Sequence, residues 1–252
     1  PVNWPAGETI TLTVNATDAA GNNNSTEPLT LQVVDVGFSN PEPADGSYIK
    51  AIPEYVRAVT TAIKPGSVQM YLGSAGTAPI NLNPTIDNVY VRNTTPLGDL
   101  ASGEYWVNVS GTGIDSIGGA WSLNWSFTLD TKAPAINTFT IADSDGDGYI
   151  EAGEDLYLTW DVTDPNFDNV TLVDVATGER FWSSTEGSGN NVKVTPITVG
   201  NRNLAFRAYD KAGNYDSRGF HLYYDYMVWV NSTKMDEVVG INTTYTAVKD
   251  IS

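Results

Sequence analysis

The chain has no cysteine and one histidine, and only 13 lysines and arginines stand against 30 aspartates and glutamates. Without cysteine there is no disulfide framework and no thiolate metal site. The single histidine, His221, leaves the usual nucleophile-and-base arrangements few possible builders, and no G-x-S-x-G motif accompanies it. It is expected to be an ordinary strand residue, so the chain is not expected to be an enzyme. A formal charge of −17 repels phosphate backbones and anionic headgroups, and no basic cluster offsets it locally, which excludes nucleic acid as a partner. Long apolar runs are also missing. Stretches such as "YMVWV" at 226–230 fall far short of the roughly 20 residues that span a bilayer, so no membrane insertion is expected from this segment. No signal peptide is visible before Pro1, which reads as a mature or excised piece of a longer protein.

What the chain does have is apolar material: 41% hydrophobic and 11% aromatic residues, enough for packed cores, so the acidity belongs to a folded surface. Its 252 residues suggest about two domains at roughly 100 to 200 residues each. Three short pieces resemble one another, "DAAGN" at 18–22, "DSIGG" at 115–119 and "DKAGN" at 210–214, with their aspartates 97 and 95 residues apart. Each is followed by a strand-like segment ending in Asp35, Asp130 or Asp225, spaced 95 and 95. A fixed period of β-patterned segments signals tandem domains.

The strands alternate with period two. In "TITLTVNAT" Ile10, Leu12, Val14 and Ala16 share one face; in "WSLNWSFTL" Trp121, Leu123, Trp125, Phe127 and Leu129 do. Short strands, frequent Gly, Pro, Asn and Asp turns and no convincing helix predict an all-β fold of β-sandwiches.

The phrases "SGEYWVNVSGTGIDSIGGAWSLNWSFTLDTKAP" and "NLAFRAYDKAGNYDSRGFHLYYD" resemble the last strands of immunoglobulin-like repeats in prokaryotic secreted proteins, among them surface-layer proteins and adhesins. The resemblance covers nearly the whole chain and specifies fold more than function. It implies tandem immunoglobulin-like β-sandwich domains in an end-to-end array. The repeat then places C-terminal strands of a partial domain at 1–36, complete domains at 37–130 and 131–225, and N-terminal strands of a further partial domain at 226–252. Either the chain is a fragment of a longer array, or segments 1–36 and 226–252 complete neighbouring copies by strand exchange.

"DSDGDGYIEAGE" at 143–154 meets the pattern D-x-[DN]-x-[DN]-G-x5-E in full. Calcium takes six to eight oxygens at about 2.3 to 2.6 Å. Asp143, Asp145, Asp147, the Tyr149 carbonyl, Glu151 and Glu154 are the candidate ligands; Gly148 permits the turn and Ile150 anchors the loop. Asp155 brings the carboxylates to six within thirteen residues, a density that disfavours a compact loop without a cation. The segment resembles the EF-hand calcium loop, but "AINTFTIA" and "LYLTWDV" on either side alternate as strands. The loop chemistry therefore carries over without the helix-opening mechanism.

Asn-X-Ser/Thr sequons at Asn15, Asn23, Asn24, Asn93, Asn108, Asn124, Asn169, Asn231 and Asn242 are more numerous than the composition gives by chance. They point to an N-glycosylated, extracellular protein, and with the acidity to an archaeal source. "DVTDPNFDN", with Asp161, Asp164, Asn166 and Asp168, lacks the glycine and closing glutamate of an ion loop and reads as turn chemistry. Trp121, Trp125 and Trp160 are expected in the core, with Trp4, Trp182 and Trp229 less obviously internal. The expected function is a calcium-stiffened structural segment of a cell-surface protein, a surface layer or adhesin stalk. The alternative is a non-catalytic carbohydrate-binding or spacer region of a secreted polysaccharide-degrading enzyme.

Overall fold

Strand dominates the computed structural model, and the only helical piece among the described residues is a single 3-10 turn at Pro65–Ser67. The structure describes residues 8–32, 35–114, 118–142, 144, 149–150, 152–194, 197, 201–223, 226–230 and 233–237, with backbone alone for 32, 226–230 and 233–237. The chain divides into two units, Pro1–Asp130 and Thr131–Ser252.

The first unit opens with β1 (Thr9–Leu12), β2 (Asn15–Thr17), β3 (Asn23–Ser25) and β4 (Leu29–Gln32). β1 pairs antiparallel with β4 and β2 with β3, so residues 9–32 form one long hairpin. Its apolar face is largely exposed: Leu12 is 47% accessible, Val14 66%, Leu29 57% and Leu31 43%. Period-two alternation is present here, yet no described residue buries the face it creates.

A sandwich follows, built from β5 (Gly37–Glu42), β6 (Ser47–Ile49), β7 (Arg57–Thr61), β8 (Gln69–Ser74), β9 (Ile80–Asn81), β10 (Pro84–Asp87), β11 (Tyr90–Asn93), β12 (Gly103–Thr112) and β13 (Ala120–Leu129). One sheet runs β10-β11-β7-β5 and the other β6-β13-β12-β8-β9. β12 and β13 pair over ten residues, placing Val107 against Trp125 on the core face and Asn108 against Asn124 on the other. β6 joins the edge of β13 in parallel, Ser47 opposite Phe127 through Ile49 opposite Leu129. Alternate side chains of both sheets fill the centre, among them Val91, Leu72, Val107, Trp125 and Phe127, none more than 3% exposed. Each such burial contributes about 1.5 to 3 kcal/mol.

The second unit contains β14 (Ala135–Ala142), β15 (Leu156–Thr163), β16 (Phe167–Asp174), β17 (Arg180–Ser184), β18 (Ser188–Val194), β19 (Arg202–Asp210) and β20 (Tyr215–Leu222). Its sheets are β14-β15-β18 and β17-β16-β19-β20. Leu156, Leu158 and Trp160 alternate inward from the first and Leu172, Leu204 and Phe206 from the second, all within one apolar cluster. Phe139 stacks on Phe206 with centroids 4.4 Å apart. Trp160 is seated over Gly189, where an added Cβ would lie 2.2 Å from the ring. Beyond β20, β21 (Tyr226–Val230) and β22 (Thr233–Glu237) pair with each other as a hairpin. All-β immunoglobulin-like sandwiches in tandem are therefore the architecture of the chain.

The repeated D-x-A-G-N phrase has a physical basis. At 18–22, Asp18 accepts the backbone N–H of Asn22 at 2.9 Å and its Nδ2 at 2.8 Å, and Gly21 adopts φ 87°. At 210–214, Asp210 accepts the same two groups of Asn214 at 2.8 and 2.7 Å, with Gly213 at φ 83°. One aspartate thus ties both ends of a tight hairpin turn, and glycine supplies the left-handed residue the turn requires.

Candidate functional site

The acidic loop joins β14 to β15, which pair directly, Ala142 opposite Tyr157. It is a hairpin connection within one sheet. Asp143, Asp145, Asp147 and Glu151 lie outside the described residues. The described part shows how the stem is held. Tyr223 donates its N–H to the Ile150 carbonyl at 2.9 Å and accepts from the Ala152 N–H at 2.9 Å, and Gly153 donates to the Ile197 carbonyl at 2.7 Å. Ile150 and Ala152 pack against the core, and the Tyr149 ring meets Tyr223 edge-on at 5.7 Å. The loop base is thus fastened at the end of β20. Glu154 Oε1 accepts the Ser144 N–H at 3.0 Å and its hydroxyl at 3.1 Å, so the closing glutamate reaches back to the start of the loop. Asp155 is engaged by Lys193 at 2.7 Å, which raises the lysine pKa through that hydrogen bond. Of the six candidate ligands, Tyr149 and Glu154 fall among the described residues.

A second acidic group was only half legible. Asp164 and Asp210, both in the second unit, bring carboxylate oxygens within 4.8 Å of each other, an aspartate cluster that could hold a metal. Asp210 is 2% exposed, and Asn214 occupies both its oxygens. Asp164 Oδ1 accepts the Asn166 N–H at 2.6 Å, the turn chemistry expected of "DVTDPNFDN". The sequence singled out Asp164 but not Asp210, which the β19–β20 hairpin, far along the chain, brings beside it. Asp130, the last residue of the first unit, is 4% exposed and donates its N–H to the Ile49 carbonyl at 2.8 Å.

The sequons divide by environment. Asn15, Asn23 and Asn24 are exposed on the first hairpin. Asn93 lies in a different setting: it is 1% exposed, its Oδ1 accepts the Val56 N–H at 2.8 Å and its Nδ2 donates to the Thr95 carbonyl at 2.8 Å. A glycan on that amide nitrogen would displace its bond to Thr95 and the packing that buries it. Asn169 is half-buried and its Nδ2 donates to Asp168, another poor acceptor. Asn108 is half-buried and donates Nδ2 to Asn124 Oδ1 at 2.6 Å, while Asn124 is exposed. Asn231 and Asn242 lie outside the described residues.

His221 places Nδ1 2.9 Å from Asn203 Oδ1 and Nε2 3.3 Å from Asn201 Oδ1, a strand residue bridging two amides. Trp125 and Trp160 are each 3% exposed, whereas Trp121 is 40% exposed at the outer end of β13, contrary to the expectation of core burial. Trp182 packs edge-on against Trp160 at 5.3 Å; the side chains of Trp4 and Trp229 are outside the described set. Trp106, 39% exposed in the middle of β12, was not singled out by the sequence because alternation alone does not say how exposed an outer face is.

No protein-family model and no curated protein matches the chain. Among solved structures, a tetra-tandem repeat from the extending region of a large adhesion protein aligns at 18% identity over 88% of this chain and 58% of that one, with a TM-score of 0.29. The chain thus spans little over half of that structure's length. A chimeric titin tandem aligns at 12% identity over 73% of this chain and 97% of its own, TM-score 0.27. Extracellular cadherin domains 1–5 of protocadherin gamma B2 align at 12% identity over 85% of this chain and 45% of theirs, TM-score 0.25. Scores this low carry no functional argument.

Proposed function

We propose that the chain is a structural, non-enzymatic segment of an extracellular cell-surface protein, a surface layer or adhesin stalk. Calcium at 143–154 stiffens it, and N-glycans occupy its exposed asparagines. The observation that carries the reading is the acidic loop: it bridges two paired strands, and its base is hydrogen-bonded to Tyr223 and Ile197. An ion there ties the first hairpin of the second unit to the end of β20, which is a staple's role. The exposed apolar face of residues 9–32 suits cover by a strand from a neighbouring domain or another copy, and partners of this kind complete the array.

Melting of the whole chain in calcium and in EDTA tests the staple. At a hundredfold excess over its dissociation constant, one bound ion adds roughly 2.7 kcal/mol, on the order of 10 °C for a domain of this size. Asp145→Asn and Glu154→Gln are expected to abolish most of that rise, and Asp210→Asn to preserve it. Equal melting temperatures in calcium and EDTA would overturn the staple; loss of the response in Asp210→Asn alone would move the ion to the Asp164 cluster.

A further inference from the structure

The outer face of the five-stranded sheet in the first unit carries a groove of about 480 Å³ lined by Tyr71, Pro79, Trp106, Asn108 and Asn124, within the roughly 300 to 1,000 Å³ typical of small-molecule sites. Strand register builds it. Tyr71, Asn108 and Asn124 form one row across β8, β12 and β13, and Gly73, Trp106 and Ser126 form the next. The indole of Trp106 packs directly on Gly73: a Cβ there would stand 2.2 Å from Cζ2 and 2.4 Å from Cε2 of the ring. A glycine in mid-strand costs packing, and here it lets an aromatic ring rest against the backbone while the residue stays 39% exposed.

We infer that this groove holds a neutral sugar ring, with Trp106 as the stacking platform and Asn108 and Asn124 as the amides that read its hydroxyls. Three properties point to that chemistry. The platform is an exposed indole, 39% accessible, seated on the backbone at Gly73. A pyranose offers one face of C–H groups to such a plane and directs its hydroxyls sideways, where carboxamides both donate and accept. No lining residue is acidic or basic in a chain of net charge −17, so the groove suits an uncharged ligand.

The sugar has two possible sources. One is a separate glycan. The other is a glycan on Asn124 itself, whose Nδ2 makes no hydrogen bond among the described residues while its Oδ1 is held by Asn108. The platform is independent of the calcium staple and of the array, and only the second source rests on the glycosylation proposed above.

The test follows the indole N–H resonance of Trp106 in the full chain, assigned with Trp106→Phe, the other six tryptophans serving as internal controls. Unglycosylated chain is titrated with chitotriose and with mannotriose; glycosylated chain is compared before and after enzymatic deglycosylation. A saturable shift on titration, weakened at least about tenfold in Gly73→Ala, supports a separate glycan. A shift on deglycosylation, absent in Asn124→Gln, supports the attached one, and peptide mass spectrometry at Asn124 tells an absent glycan from an idle platform. Gly73→Ala keeps the indole and displaces it, so unshifted control resonances exclude misfolding. A Trp106 resonance that moves in neither arm overturns the inference, whatever Asn124 carries.

Discussion

Asn93 shows how one side chain can carry the signature of a surface modification and do the work of a core residue. It ends β11, and its carboxamide takes the place of a missing backbone partner on either side, for the Val56 N–H and the Thr95 carbonyl. Buried polar groups left unpaired cost about 1 to 3 kcal/mol each. Asn93→Ala is therefore expected to lower stability by about 2 to 4 kcal/mol in urea denaturation, and the Asn93 peptide to stay unmodified in glycosylated chain. A mutant as stable as the parent would show that water replaces both bonds. Nothing in the triplet Asn-Thr-Thr separates it from the exposed sequons, because the distinction lies in Val56, 37 residues away.

The turns are the elements where sequence and structure speak most directly to each other. In the β16–β17 hairpin, Asp174 Oδ1 accepts the N–H groups of Ala176 at 2.7 Å and Thr177 at 2.9 Å, and Arg202 stands 3.1 Å from Oδ2. The Thr177 bond, helped by Ala176 and Arg202 and opposed by burial, holds the carboxyl below its ordinary value of 3.8. A depressed folded-state pKa means that the contribution is present above pH 3.8 and is lost as pH falls through the lower, folded-state value. The melting temperature of Asp174→Asn is accordingly expected to fall less than that of the parent from pH 5 to about pH 2.5; parallel curves would rule the effect out. The hairpin positions, alternating strands and β-sandwich class were readable because each depends on neighbours along the chain. The Gly73–Trp106 platform, the Asp164–Asp210 pair and the parallel β6–β13 edge were not, since each joins residues that only the sheet order brings together. The apolar stripe of 9–32 marks the limit of pattern reading: alternation tells which residues share a face, not what covers it.

At the scale of the whole molecule, charge and that apolar stripe oppose one another. Two copies meeting through residues 9–32 bury Leu12, Val14, Leu29 and Leu31 but bring two net charges of −17 together. Salt screens such repulsion over a Debye length of about 8 Å at physiological ionic strength, while apolar burial is not weakened by it. Light scattering after size exclusion should show the mass rising with protein concentration and with salt, and Leu12→Lys with Leu31→Lys should keep the chain monomeric. A monomer at all salt concentrations would leave the stripe to a neighbouring domain.

The parallel pairing of β6 with β13 has a mechanical consequence. β6 lies near the start of its sandwich and β13 at its end, so tension drawn along the chain, once it reaches β6, pulls the two strands in opposite directions past each other. Every bond of that short ladder then shares the load at once, as in a lap joint. In the second unit β14 pairs only with its successor, β15, and β20 lies in the other sheet. Under tension the first unit has a lap joint between β6 and β13, and the described strands of the second offer none.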